Sequence, residues 1–254
     1  MTSPGFVKWI VLPAVMAVLG ACAAPEASSS GFAAADPYEQ TNRHFLDGNL
    51  RLDRNVLRPA AQAYDFVTPE LFQHLITNGL RHLDLGKDFA NYLLQGDVDR
   101  SLETFGRFTV NTVVGAGGLL DPATEFGLPK QGTDFGITLG KYGVGEGGYL
   151  VLPLLGPTTV RDAAGFVVDR AFSPSAYFGA AGVPEAVGPG LTALGFIERR
   201  DRHFEFIDEA LYKSADPYVT LRAGYLQRRR AAIAGEEGAE QLLPDIFDDE
   251  APSN

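Results

Sequence analysis

Apolar residues in this chain recur at spacings of three and four far more often than they alternate, which predicts helices rather than strands. Asp36-Pro37-Tyr38-Glu39 combines an acidic N-cap, proline at the first helical position and glutamate at the third, a strong start signal. The helix it opens should run to about Leu57, with Tyr38, Phe45, Leu52 and Val56 near one face and Pro59 marking its end. Thr68-Pro69-Glu70 opens a second helix, in which Phe72, Leu75, Ile76, Gly79, Leu80 and Leu83 form a face expected to be buried. A separate short segment with Leu85, Phe89 and Tyr92 follows, stopped by Gly96. Asp97 caps a helix to about Val114 that carries Leu102, Phe105, Phe108 and Val113, and Gly115 to Gly118 breaks it. Asp121-Pro122 starts a short turn, and Asp134 caps a short helix through Phe135, Ile137 and Tyr142. Thr158 and Thr159 with Asp162 open another helix. A long one is expected over 189–213, with Leu194, Ile197, Phe204, Ile207 and Leu211 on its buried side. Asp216-Pro217-Tyr218 caps the last helix, which should end at Arg228-Arg229-Arg230, where cations suit the negative end of the helix dipole. Alternation is scarce, so the fold reads as all-α.

The stretch 105–157 is both apolar and glycine-rich, and its hydrophobic surface must be covered by a core, a membrane or a lipid. Within it, 113–120 and 149–155 are apolar segments beside glycine hinges, a composition that can lie in the interface of one leaflet. No run beyond the first residues of the chain reaches eighteen apolar residues, so no spanning helix is expected there. Pattern alone leaves core and membrane both open. Asn42 and Asn49 fall among the apolar positions of the first helix, where their amides need partners, either across helices or on polar lipid atoms.

Residues 1–21 read as a signal peptide. Lys8 precedes an eleven-residue apolar run over 9–19, which as a helix covers roughly 16 Å of a hydrocarbon core of about 30 Å. Leu19-Gly20-Ala21-Cys22 resembles the lipobox of bacterial lipoproteins, which implies cleavage before Cys22 and lipidation of its thiol. Ala23 and Ala24 follow without the aspartate that retains lipoproteins in the inner membrane, so that resemblance favours the outer membrane. Cys22 is the sole cysteine, which rules out a disulfide within one molecule. Residues 22–35 are Ser/Ala-rich and read as a lipidated tether, 36–230 as the helical domain, and 231–254 as an acidic disordered tail. The chain carries 21 basic and 32 acidic side chains, a net −11, which argues against nucleic acid as a partner.

Chemistry is thin. Gly143, Gly145 and Gly148 match G-x-G-x-x-G, but a dinucleotide site needs a strand before the motif and a helix after it, and here an apolar run with Pro153 follows. His44, His74, His82 and His203 match no metal-ligand spacing, and there is no G-x-S-x-G. Asp121 and Asp134 look like helix caps rather than a carboxylate pair. An enzyme is disfavoured, with a lipid hydrolase as the enzymatic alternative, and no cofactor or metal is expected.

The order of motifs carries more information. Asp36-Pro37-Tyr38-Glu39 with Asn42-Arg43, Asn91-Tyr92-Leu93-Leu94-Gln95-Gly96-Asp97, Arg107-Phe108-Thr109-Val110-Asn111-Thr112, Asp134-Phe135-Gly136, Tyr142-Gly143-Val144-Gly145, Leu152-Pro153-Leu154-Leu155-Gly156-Pro157 and Ser214-Ala215-Asp216-Pro217-Tyr218 together resemble the MlaA (VacJ) lipoprotein family. The resemblance implies a helical ring in the inner leaflet of the outer membrane, lipid-anchored at Cys22. It also implies a central amphipathic channel by which mislocalised phospholipid leaves the outer leaflet. A trimeric outer-membrane porin and a soluble periplasmic lipid carrier are the implied partners. By the same resemblance, Phe135, Tyr142, Gly143, Gly145, Gly147, Gly148, Tyr149 and Leu152 belong to a flexible hairpin beside the channel, and Asn42 to a helix that affects gating. A scaffolding role beside the porin is the alternative.

Overall fold

The computed structural model describes residues 36–174 and 182–242, with side chains as far as residue 235. The expected signal peptide, Cys22, the tether and the last twelve residues of the tail lie outside the described residues. The chain is mostly helical. Helix α1 (Glu39–Leu52) passes through a π-helical segment, Asp53–Leu57, directly into α2 (Arg58–Val67). Pro59 therefore does not end the helix. The Arg58 N–H already reaches back five residues to the Asp53 carbonyl, so the ladder has shifted where proline lacks a donor. Asp36 accepts the Tyr38 N–H at 3.1 Å and reaches across the fold to the Tyr218 hydroxyl, rather than capping further into the helix.

Helix α3 (Glu70–Leu94) is one continuous helix where two were expected, and Gly96 ends it in the left-handed conformation, φ +72°. Asp97 caps α4 (Val98–Val113) through the Arg100 N–H at 3.1 Å. After α5 (Pro122–Glu125), Asp134 caps α6 (Phe135–Lys141) through the Ile137 N–H at 2.9 Å. Two strands that the apolar run 149–155 did not announce, β1 (Tyr149–Leu152) and β2 (Gly156–Thr159), form an antiparallel hairpin with Tyr149 opposite Thr159 and Val151 opposite Pro157. Thr159 caps α7 (Val160–Phe172). The expected long helix over 189–213 divides at His203 into α8 (Val187–Arg202), α9 (Phe204–Asp208) and a second π-helical segment, Glu209–Lys213. Helix α10 (Pro217–Leu242) continues beyond Arg230, with non-helical backbone at Gly235.

The faces of the helices are turned inside out. Among the described residues, sixteen buried side chains are polar or charged against ten that are apolar. Helix α4 shows it most clearly: Ser101 (1 % exposed), Thr104, Arg107 and Asn111 (5 %) face inward, while Leu102 (63 %), Phe105, Phe108 and Val113 (78 %) face out. On α3 the face expected to be buried is not: Phe72 is exposed and Leu75, Ile76, Leu80 and Leu83 are half-exposed, whereas Leu85, Asp88, Asn91 and Tyr92 are buried. The apolar core is small, built from Leu46, Tyr149, Val151, Tyr218 and Leu226 around the hairpin.

Helices α6 and α7 cross at Gly136 and Gly165, where a Cβ on Gly165 would sit 2.5 Å from the Gly136 nitrogen. Only glycine permits that approach. Gly165→Ala should therefore destabilise the fold by about 1–3 kcal/mol through forced separation of the two helices. Gly224→Ala, mid-helix in α10 with nothing within 4 Å of the new methyl, should stabilise by about 0.4–1 kcal/mol. Chemical unfolding of both variants in the same detergent checks the sign of each.

Candidate functional site

The inward polar residues gather into networks strung between the helices. At the start of the interior, Arg107 on α4 donates to Asp121 at 2.7 Å and to the Leu128 carbonyl at 2.6 Å. Asp121 also accepts from Asn111 at 2.9 Å and pairs with Lys130 at 2.9 Å. Asp121 stands at the N-cap position of α5 as expected, but its carboxylate takes these groups and the Thr124 hydroxyl at 2.7 Å rather than a backbone N–H of the helix.

A second network joins α3, α6 and α7. The Asn91 amide donates to Asp169 at 2.7 Å and accepts the Thr138 hydroxyl at 2.9 Å, and both Asp169 oxygens receive the Phe135 N–H. Asp88 takes Lys87 at 3.0 Å and the Thr133 N–H at 3.1 Å. A third network centres on Arg229 of α10, which donates to Asp134 at 2.6 Å and Asp162 at 2.9 Å, with the Tyr225 hydroxyl on Asp162 at 2.7 Å. Asp121 and Asp134 are thus held by different cations. A fourth sits on the two π-helical segments: Arg200 of α8 forks onto Asp53, which also takes the Tyr212 hydroxyl at 2.7 Å.

These networks set the charge states. Burial pushes Asp162 and Asp134 up, but hydrogen bonds and charge from Arg229 outweigh it and hold both below the usual carboxylate range. Burial dominates at Asp88 and Asp169 and leaves both raised. The depressed pair favours the ionised folded state, so its stabilisation is complete above the unfolded carboxylate pKa of about 3.9 and is lost as pH falls through the lower folded values. The raised pair acts with opposite sign, so folding is slightly favoured as acid first neutralises Asp88 and Asp169. The melting temperature should thus hold or rise slightly from pH 7 towards 5 and fall steeply below about pH 4. Arg229→Gln should remove the share of that acid transition carried by Asp134 and Asp162 and leave the share carried by Asp121, Asp208 and Asp216, whose cations it does not touch, when melting is followed by circular dichroism.

Of the residues singled out from sequence, Asn42, Tyr149 and Leu152 meet at one feature, the seam between α1 and the hairpin, whereas Phe135 and Tyr142 lie away from it. Asn42 is 1 % exposed; its amide donates to the Tyr149 carbonyl at 2.9 Å and accepts the Val151 N–H at 2.9 Å. The pattern repeats one heptad, or two turns, further on: Asn49 donates to the Leu152 carbonyl and accepts the Leu154 N–H, both at 2.9 Å. The protein partners expected for these amides are thus backbone groups of β1 and its turn. Tyr149 is buried edge-on against Tyr218 and Tyr225, and Leu152 is half-buried. Phe135 lies at the head of α6, 34 residues before the Asp169 that anchors its N–H.

Tyr142, Gly143 and Gly145 are exposed on the connection from α6 to β1, and the Tyr142 hydroxyl donates to the Leu94 carbonyl at 2.5 Å. Gly143 and Gly147 have φ of +81° and +68°, and a Cβ on Gly148 would meet the Tyr38 ring at 2.7 Å. The G-x-G-x-x-G segment therefore follows a helix and enters a strand, the reverse of a dinucleotide loop. Glu146 within it is paired to Arg230 at 2.7 Å. What the sequence reading passed over were the interior charges, Asp53, Asp88, Arg107, Arg161 and Arg200. Their signal was present in α4 as a polar stripe, Ser101, Thr104, Arg107 and Asn111, at the same three-and-four spacing as the apolar one.

Comparison with known proteins agrees with this architecture. The family model described as MlaA lipoprotein matches residues 34–232. The intermembrane phospholipid transport system lipoprotein MlaA of Escherichia coli K12 is 33 % identical over 215 residues, 83 % of each chain. Its Haemophilus influenzae counterpart is 32 % identical over 219 residues, covering 84 % of this chain and 86 % of the relative. A solved structure described as the structural basis for maintenance of bacterial outer membrane lipid asymmetry superposes with a TM-score of 0.68 at 33 % identity, covering 77 % of this chain and 97 % of that one. With the family model matched over residues 34–232 and a relative 33 % identical across 83 % of each chain, this chain belongs to the MlaA lipoprotein family.

Proposed function

We propose that this protein removes mislocalised phospholipid from the outer leaflet of the outer membrane and passes it to a periplasmic carrier, as the names of its relatives suggest. The observation that carries the reading is the inversion on α4, apolar residues outward and a hydrogen-bonded polar stripe inward. In water that arrangement wastes roughly 25 cal/mol for every Å² of apolar surface left wet. In the hydrocarbon of one leaflet it is favourable, and no described helix is long and apolar enough to cross the bilayer. A body of this kind lowers the cost of moving a phospholipid without covalent chemistry, because the headgroup meets polar atoms and the tails keep apolar surface. In this reading the protein is a conduit and not an enzyme, a helical ring around an amphipathic channel, anchored through Cys22 and seated beside a trimeric porin.

A strain lacking the gene should expose several-fold more amine-reactive phosphatidylethanolamine at its surface, and the wild-type gene should restore the barrier. Unchanged lipid exposure in a sensitised background would remove the proposal.

A further inference from the structure

The networks described above neutralise the inward charges, and at their edge one exposed cation is left over. Between α3 and α4 lies a cavity of 30 Å³ whose lining includes Arg81, His82, Leu85, Arg107, Asn111 and Asp121. Leu85, Arg107 and Asn111 are buried and form its depth, His82 and Asp121 are half-buried, and Arg81 alone of these is exposed, which puts it at the rim. Arg107 and Lys130 share Asp121, and Arg202 is taken by Glu198, which also receives the Thr77 hydroxyl. Both carboxylates in reach of Arg81 are therefore engaged, and among the described residues Arg81 itself makes no hydrogen bond or ion pair.

Arg81 is thus a cation whose two coupled carboxylates are already held by Arg107, Lys130 and Arg202, in a protein whose net charge is −11. A guanidinium presents five N–H donors in a planar fork that matches two oxygens of a phosphate. Exposed at the cavity rim with no hydrogen-bonded partner among the described residues, it is free to take an anion.

We propose that Arg81 is a station for the phosphodiester of the phospholipid in transit, binding its non-bridging oxygens at the rim of this cavity. The inference rests on the transport reading above. The direction in which the Arg81 pKa moves agrees with it, since burial and the nearby Arg202 both lower it, as for a cation lacking its counter-ion. The cavity's size decides what enters. A water needs about 10–15 Å³ of such space, so this one admits an oxygen or two with water and not a whole headgroup. Recognition is accordingly of the phosphate and not of the alcohol esterified to it.

The test is native mass spectrometry of the full-length, lipidated protein in detergent, titrated with dioleoyl-phosphatidylglycerol, with dioleoylglycerol (which lacks the phosphate) and with inorganic phosphate. Arg81→Gln should weaken phosphatidylglycerol binding about 10-fold or more, Arg81→Lys, which keeps the charge but loses the two-oxygen fork, should fall between it and the wild type, and dioleoylglycerol should bind all three proteins equally weakly. Because Arg81 has no partner to lose, Arg81→Gln should melt at or above the wild-type temperature, which separates a binding role from a structural one. Wild-type affinity in Arg81→Gln overturns the proposal, as does a lowered melting temperature that accounts for the loss. Full displacement of the lipid by millimolar inorganic phosphate assigns the site to free phosphate and overturns it equally. If the null strain keeps normal lipid asymmetry while Arg81→Gln loses lipid, the transport reading fails and the site stands. If asymmetry is lost in the null strain but Arg81→Gln binds as wild type, the site fails and transport stands.

Discussion

Arg200→Met should lower the stability of the folded protein by about 3–5 kcal/mol, the cost of leaving a buried carboxylate without its cation. The Arg200 and Asp53 side chains are 4 % and 8 % exposed. The guanidinium donates to Asp53 at 2.8 and 3.2 Å, contacts Asp208 and lies 4.7 Å above the Phe204 ring. Asp208 keeps Arg58 at 2.8 Å and so survives the loss, whereas Asp53 keeps only the Tyr212 hydroxyl. The partner variant tests the cause. Asp53→Asn/Arg200→Met removes the stranded charge and still accepts from Tyr212, so it should recover roughly half or more of the lost stability. Denaturant unfolding of the two variants decides the matter. A single-variant loss under 1 kcal/mol, or a double variant worse than the single, would show that the pair is not what holds α1, α8 and the π-helical segments together.

Asn42→Leu should release the hairpin. The substitution keeps size but removes the donor to Tyr149 and the acceptor from Val151, leaving two buried backbone groups unmet. At about 1–3 kcal/mol for each unmet group, the loss is about 2–6 kcal/mol, concentrated at one seam rather than spread through the fold. Hydrogen exchange at Val151 should accelerate by two orders of magnitude or more while the amides of α3 and α4 change little. Asn49→Leu should do less, since Asn49 is half-buried and water can replace its two bonds. If the hairpin takes part in passing lipid, complementation by Asn42→Leu should fail at protein levels where Asn49→Leu still succeeds. Unchanged exchange at Val151 would mean that the core residues around Tyr149 hold the hairpin without the amide.

Helix boundaries written in local chemistry were legible in the sequence. Asp97, Asp134 and Thr159 cap as their positions suggest, and Gly96 and the glycines after Val113 stop helices where expected. What could not be read was direction. Leu102, Phe105 and Val113 form a stripe whichever side it faces, and periodicity carries no label for the surrounding medium. Taking the medium to be water put Phe72 and Leu75 inside, when the interior belongs to Asp88, Asn91 and Arg107. Pro59 misled for a different reason. A π-helical segment moves the missing donor out of the ladder, and its formation depends on Asp53 finding Arg200, almost 150 positions away. Alternation does not reveal the two strands, and a hairpin is implied there by the family resemblance alone, because the strands are four residues each and one of them contains proline.

That proline and the two asparagines have a joint consequence for how the protein behaves when crowded. A two-stranded sheet ordinarily offers two open edges on which a neighbouring chain can add a strand. Here the outer edge of β1 is occupied by the amide of Asn42, which uses the acceptor of Tyr149 and the donor of Val151 that an incoming strand would need, while the amide of Asn49 holds the end of the strand and the turn after it. Because Val151 turns its N–H towards Asn42, its opposite number Pro157 falls where the other strand also faces away, and the missing N–H interrupts that edge at no cost to the pairing. The hairpin is thus shielded from templated self-association on both flanks, by side-chain amides on one and by an absent donor on the other.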